Sequence, residues 1–258
     1  MLIFAGFVTG LLVGLTGVGA GAMMTPLLLL VFGVAPVTAV GTDLLFAGLT
    51  KVVASRVHHS AGLIDWPVVR RLWLGSLPAS ALTVWSIKQG WLAIDVDMLR
   101  QIIGFAVLIT AVGMSAQGRL NALGRRLRLG NADRFKRLQS PLTIFAGVVL
   151  GFLVTLTSVG AGAVGAVLLA YLYPLRLTPS RLVATDIVHA VPLALFAGLG
   201  HMVVGNVDFE LLTWLLLGSV PGVWLGAKLS ARLPQHYLRV GLALVLSAIG
   251  LKLTGLVV

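Results

Sequence analysis

The sequence predicts an all-α polytopic membrane protein made of two homologous halves, and three observations carry that fold class. Hydrophobic residues make up 58% of the 258 and charged residues only 10%, against roughly 25% charged in a soluble domain. Mean hydropathy is +1.03, so most of the chain cannot face water. Apolar runs of about 20 residues, the length that crosses a bilayer core, recur along the whole chain. Finally, a glycine-rich phrase is written twice, "LTGVGAGA" at Leu15–Ala22 and "LTSVGAGA" at Leu156–Ala163. Long continuous runs exclude a β-barrel, whose strands are short and alternate.

The runs fall at 2–33, 37–57, 66–88, 98–117, 141–173, 179–201, 209–230 and 236–256. The first ends its glycine phrase on "AGA", which resembles a leader cleavage site. No Lys or Arg precedes it, however, and the same phrase returns deep in the chain, so the run is structural. The repeat extends well past the phrase. "FAG" at Phe4 returns at Phe145, and "VGTDLL" at Val40 returns as "VATDIV" at Val183. His58, Gly62 and Asp65 match His201, Gly205 and Asp208 at an offset of 143, as "GSLP" at Gly75 matches "GSVP" at Gly218. Residues 1–116 and 141–258 are therefore two membrane repeats. Between them, 117–140 is a basic linker holding seven Lys/Arg and one acid, Asp133, and belongs on the cytoplasmic side.

Charge decides how the halves lie. Arg56, Arg70 and Arg71 sit in one loop of the first half, whereas its counterpart in the second half holds only Asp208 and Glu210. The next pair swaps the other way, with Lys228, Arg232 and Arg239 in the second half. Arg176 and Arg181 likewise match an uncharged joint near Gly33–Pro36. If both glycine-containing segments turn back without crossing, all these basic residues join the linker inside. Only Lys88, Arg100 and Lys252 then remain outside. Positive residues favour the cytoplasmic face, so inverted repeats are expected, each with a glycine-broken re-entrant helix and three transmembrane helices. The net charge of +11 thus reports orientation rather than a nucleic-acid partner. With no cysteine, disulfides and thiol chemistry are absent.

The glycine phrase then acquires a purpose. Segments 2–33 and 141–173 are overlong for one crossing and short for two, which suits half-helices joined by "GVGAG" at the midplane. Such a break exposes backbone polar groups and is tolerated only where protein lines it. Free N–H groups and the positive dipole end at the start of each second half-helix make an anion site. The candidate substrate-binding residues are Gly17, Gly19, Ala20, Gly21, Ala22, Gly160, Ala161, Gly162 and Ala163. Helix-packing contacts between small residues are the competing reading of these glycines.

The phrase "GVGAGAMMTP" (Gly17–Pro26), its second copy and the two-fold repeat resemble the sulfite exporter TauE/SafE family of membrane transporters. "GTDLL" with Lys51, and "ATDIVHAVPLALFAGLGH" (Ala184–His201), look like a recurrent variety within it. The second copy departs at Ser158, which replaces the first glycine, and lacks the proline found at Pro26. The resemblance implies a transporter of the bacterial plasma (inner) membrane that moves sulfite, organosulfonates or related anions, often outward. It implies no cofactor and no enzymatic activity.

Charges inside the apolar runs complete the reading. Asp43 and Asp186 occupy matched places after Thr42 and Thr185, and His189 follows Asp186 on the same helix face. An ionised carboxylate in hydrocarbon costs several kcal/mol, so both acids should face the protein interior. They and His189 are candidates for a proton relay, or else hold helices together. Lys51 lies about 80° around its helix from Asp43, placed for a counter-ion or substrate role. His58, His59 and His201 sit at helix ends without zinc-ligand spacing, and no metal is expected. The expected partners are a small anionic substrate, membrane lipid and a co-transported proton or sodium, with a homodimer left open. A membrane enzyme lacks support, since no zincin motif, P-loop or nucleophile turn occurs. A passive anion channel would use the same helix ends.

Overall fold

The computed structural model describes residues 1–16, 21–59, 62–92, 95–130, 132–160, 162–230 and 235–256. Among them the architecture is all-helical, with ten helices. The first half supplies α1 (Leu2–Thr16), α2 (Gly21–Leu30), α3 (Pro36–His59), α4 (Trp66–Lys88) and α5 (Val96–Gly130). The second supplies α6 (Ala132–Thr157), α7 (Ala163–Leu172), α8 (Pro179–Val204), α9 (Phe209–Ser230) and α10 (Gln235–Leu253). Among the described residues, four stretches are long and apolar enough to cross a bilayer: Val96–Leu127, Arg137–Thr157, Pro179–Val204 and Phe209–Gly226. Helices α3 and α4 match them in length, but α3 carries Asp43 and Lys51 within it and α4 carries Arg70 and Arg71 near its start.

Local chemistry sets the helix ends. Asp65 caps α4 by accepting from Val68 N, and Asp208 does the same for α9 from Leu211 N at 2.9 Å. Thr178 caps α8, with Pro179 at the first helical position where a missing N–H costs nothing. Gly205 closes α8 in the left-handed conformation at φ 86°. The basic stretch 117–140 is helical throughout its described residues, because α5 runs on through it and α6 starts within it. Arg and Leu are good helix formers. At 35 residues, α5 is about 50 Å long and outreaches a hydrocarbon core of about 30 Å.

Packing pairs most long helices of one half with a helix of the other. Antiparallel α3 and α8 form the centre, with Gly41 against His201, Leu45 against Gly198, and Gly48 against Leu195. Helices α5 and α10 are antiparallel too, Gly104 facing Thr254 and Gly250 facing Leu108. On the flanks α1 runs parallel to α9, and α6 runs parallel to α4. In the first of these pairs Gly6 and Gly10 rest on the backbone of Leu215 and Ser219, while Gly222 and Gly226 rest on Phe7 and Leu11. In the second, Gly147 and Gly151 rest on Leu72 and Ser76, and Gly75 rests on Ile144. A Cβ at any glycine of these two parallel pairs would collide with main chain, so the glycines let backbones touch in a medium where apolar burial gives little. Among the described residues, this close helix packing is carried by glycines outside the repeated phrase.

One helix of the second half folds back. The Gln139 side chain donates to Leu172 O at 2.6 Å, and Thr143 Oγ1 lies 2.8 Å from Tyr173 Oη. The end of α7 thus returns to the early part of α6, and the two form a helical hairpin. Outward-facing apolar residues such as Leu74, Leu82, Phe145, Phe152, Leu217 and Leu244 remain exposed on the helix exteriors. An apolar belt of that kind suits lipid rather than water.

Candidate functional site

The second glycine phrase interrupts the chain between α6 and α7. Ser158 stands at φ 57°, a rare value for a residue with a side chain, followed by Gly160 at φ 115° and Gly162 at φ 131°. Gly162 precedes α7 without any side-chain capping bond. Ala163 opens the helix and is buried, as is Ala22 one residue into α2. Gly21 begins α2. Gly17, Gly19, Ala20 and Ala161, expected to bind substrate, lie outside the described residues, as do the side chains of His58 and His59.

Between the two interrupted segments sits a buried polar centre. Asp43 Oδ2 accepts hydrogen bonds from Thr25 N at 3.2 Å and from the Thr25 hydroxyl. The Ser158 hydroxyl, from the other half, lies beside Asp43, yet neither Ser158 Oγ nor Asp43 Oδ1 reaches a partner at full hydrogen-bond geometry. Asp186 comes from α8 and is buried with Oδ1 against the Cα of Gly165, also without a hydrogen bond to that oxygen. Lys51 is buried on α3, where it acts electrostatically on Asp186 first and on Asp43 second. His189 Nε2 lies 3.0 Å from Ser76 Oγ, while its Nδ1 has no partner.

The physical consequences follow from counting charge. Two carboxylates and one ammonium share a site from which water is largely excluded, where an isolated charge is costly. Lys51 offsets one acid, and a single proton on the other would make the centre neutral. Four polar atoms of this centre (Asp43 Oδ1, Asp186 Oδ1, Ser158 Oγ and His189 Nδ1) are buried without a hydrogen bond. Native interiors leave few such groups, and a cluster asks for a ligand, an ion or water to complete it.

Not every residue singled out in the sequence joins this centre. The hydroxyl of Thr42 accepts from Asp208 N at 3.0 Å, and that of Thr185 accepts from Asp65 N at 3.1 Å. Each threonine thereby ties its helix to the capped loop of the opposite half. His201 is buried and bonds to Thr155 O at 2.9 Å, apart from the acids. Thr25 and Ser76 are the residues that sequence reasoning passed over. Both lie inside phrases already quoted, "GAMMTP" and "GSLP", but only the fold shows which way they face. Among the described residues no group of three or more His, Cys, Asp or Glu is placed to hold a metal.

The comparisons with known proteins identify the family. The chain matches the Sulfite exporter TauE/SafE family over residues 2–253. It belongs to that family. It is 38% identical over 256 residues to the Bacillus subtilis "Probable membrane transporter protein YjnA", covering 98% of both chains. A Methanocaldococcus jannaschii relative, "Probable membrane transporter protein MJ0441", is 26% identical over 97% of this chain and 93% of its own. The B. subtilis "Probable membrane transporter protein YdhB" is 25% identical over 98% and 99%. No solved structure matches. Family and architecture together make this TauE/SafE member an integral membrane protein of a transporter family.

Proposed function

We propose that the chain is a secondary transporter that exports small anions, such as sulfite, organosulfonates or related sulfur-containing or carboxylate anions, from the bacterial cytoplasm. The carrying observation is the cluster of buried polar atoms without hydrogen bonds between the interrupted helices, with Lys51 as its cation. In this reading 1–116 and 141–258 are inverted repeats, and the antiparallel pairing of the matched helices α3 and α8 supports that reading. The α6–α7 hairpin supports a re-entrant second segment, and the first copy of the phrase suggests the same for α1–α2. The basic stretch 117–140 then lies in the cytoplasm.

The chemistry is a competition. Asp43 and Asp186 lie against the early turns of α2 and α7, where positive helix ends and donors would otherwise attract a substrate anion. A proton on either carboxylic acid weakens its claim on those donors and on Lys51. The incoming anion takes the vacated positive field, and release of the proton expels it. His189, one turn from Asp186, offers the anion a donor at the ring nitrogen that has no partner. Outward movement of one uncompensated negative charge gains about 2.3 kcal/mol per 100 mV of membrane potential, so export is downhill without a proton, and the proton serves movement of the anion against its gradient.

The test uses the full chain in proteoliposomes with sulfite, sulfoacetate, sulfate and acetate, each under an imposed pH gradient. Accumulation of one anion against its own gradient is expected, and Asp186→Asn should abolish the pH-driven part while changing binding only a few-fold. Flux that merely equilibrates would make the protein a passive channel. No movement of any anion would reject the reading.

A further inference from the structure

The two ends of the central α3–α8 pair are built alike but held differently. At one end the α3–α4 turn of the first half meets the start of α8, and Asp65 N donates to Thr185 Oγ1. At the other end the α8–α9 turn meets the start of α3, and Asp208 N donates to Thr42 Oγ1. Both aspartates also cap the next helix. Among the described residues, only Asp65 carries anything more. Arg176 grips it with both arms, Nε to Oδ2 at 2.6 Å and one terminal nitrogen to Oδ1 at 2.7 Å. Arg181 adds a second guanidinium 3.8 Å from Oδ2. The residues matched to Arg176 and Arg181 are Gly33 and Thr38, which carry no charge.

We propose that Asp65, Arg176 and Arg181 form an ionic latch that holds shut the end of the α3–α8 pair nearest the basic linker, and so sets the resting conformation. The proposal rests on the carrier reading above. In a repeat of like halves, the conformation open at one end and that open at the other are nearly the same contacts with the halves exchanged. The balance between them is set by the contacts that are not repeated, and this pair is such a contact. Its chemistry is strong for its place. The Asp65 side chain is 2% exposed, while the two arginines are 40% and 39% exposed, so the acid is desolvated and the bases can reach water. A bidentate guanidinium–carboxylate pair is among the stronger polar contacts, and removing one partner leaves a buried charge uncompensated.

The latch also bridges the halves in the right place. Asp65 precedes α4 in the first half, whereas Arg176 precedes α8 in the second. Tyr173 lies under the Arg176 guanidinium, 5.9 Å from ring centroid to carbon, and accepts from Arg71 at 3.3 Å. Thr143 on α6 touches the same tyrosine hydroxyl, and Asn121 on α5 donates to Ala170 O near the end of α7. The latched end is therefore the end at which α5 leads into the linker and α6 leaves it. Separation of the halves there must break the pair.

The chain has no cysteine, so a single Ser76→Cys beside His189 reports access to the centre. Its labelling by a membrane-impermeant maleimide would be timed in right-side-out and inside-out vesicles. Asp65→Asn is the informative partner change, since asparagine caps helices as well as aspartate and removes only the charge. Asp65→Asn and Arg176→Gln should each speed labelling from the linker side about tenfold, as loss of a buried charge pair permits. Labelling from the other side should stay level or slow, and the double variant should match either single one. Unchanged labelling, or equal acceleration from both sides, would reduce the pair to a structural cap. The assay moves no solute, so a side-specific response upholds the latch even if every anion tested fails to cross.

Discussion

Asp43 and Asp186 are the same residue written twice, but their surroundings differ. In the first half α2 reads Met24, Thr25, Pro26, and both the amide and the hydroxyl of Thr25 hold Asp43. In the second half, aligning the glycine phrases puts Gly165, Ala166 and Val167 in those places. Ala166 has no hydroxyl to offer, and Gly165 opens space into which Asp186 Oδ1 fits. The acid left without a hydroxyl partner is the one on which Lys51 acts most strongly. The cation itself is unrepeated, since the position matched to Lys51 is Ala194 and that matched to His189 is Phe46. A duplicated scaffold thus holds one tethered acid and one that answers to a neighbouring charge. In the proposed mechanism the second carries the proton, because its partner changes when a substrate anion arrives.

The largest effect should come from the cation. Lys51→Met should lower anion flux in proteoliposomes by more than about 100-fold and destabilise the protein by about 3–5 kcal/mol, the usual result of leaving a buried charge without its counter-ion. Adding Asp186→Asn should recover much of the thermal stability but none of the flux. Recovery by Asp43→Asn in place of Asp186→Asn would reverse the assignment of the two acids.

Next in size is the space beside Asp186. A methyl group at Gly165 would strike Asp186 Oδ1. Gly165→Ala should therefore displace the carboxylate and cost about 1–3 kcal/mol, typical of overpacking. Transport should fall about tenfold or more, with the protein still inserted and monodisperse by size-exclusion chromatography. The matched Met24 is already fully buried, so Met24→Leu, which conserves volume, should be nearly silent in the same assay. Equal losses at the two positions would mean that the halves do not differ in the way described.

The sequence made the repeat, the matched acids and the second break readable, because each leaves a mark at fixed spacing. It also placed Lys51 for a counter-ion or substrate role. The nearness of its charge to Asp186 was out of reach, because it arises only through the antiparallel crossing of α3 and α8, which no local pattern encodes. Thr42 and Thr185 stood beside the acids in sequence, yet their hydroxyls turn away to the caps of α9 and α4. Arg176 read as an orientation signal, and its grip on Asp65 depends on two turns 111 residues apart. The linker helix was hidden for a different reason. Polarity says where a segment lies relative to the bilayer, not whether it is helical.

The smallest effect offers the sharpest comparison, because it exchanges the two environments. Thr25→Ala removes the hydroxyl that holds Asp43, and Ala166→Thr places one beside Asp186. Losing a hydrogen bond to a buried charged group costs about 1.5–3 kcal/mol, so Thr25→Ala should lower the melting temperature by several degrees. Its effect on pH-driven accumulation should be slight, since Asp43 is not the responsive acid. Ala166→Thr should do the opposite. A new donor at Asp186 Oδ1 would satisfy a buried oxygen that now has no hydrogen bond, leaving stability unchanged or higher. That same bond would favour the ionised carboxylate and compete with the proton, so accumulation should fall about three- to tenfold, equivalent to about 1 kcal/mol. Paired melting and flux measurements on the two variants decide the matter. If Thr25→Ala suppresses accumulation while Ala166→Thr does not, the tethered acid is the one that carries the proton.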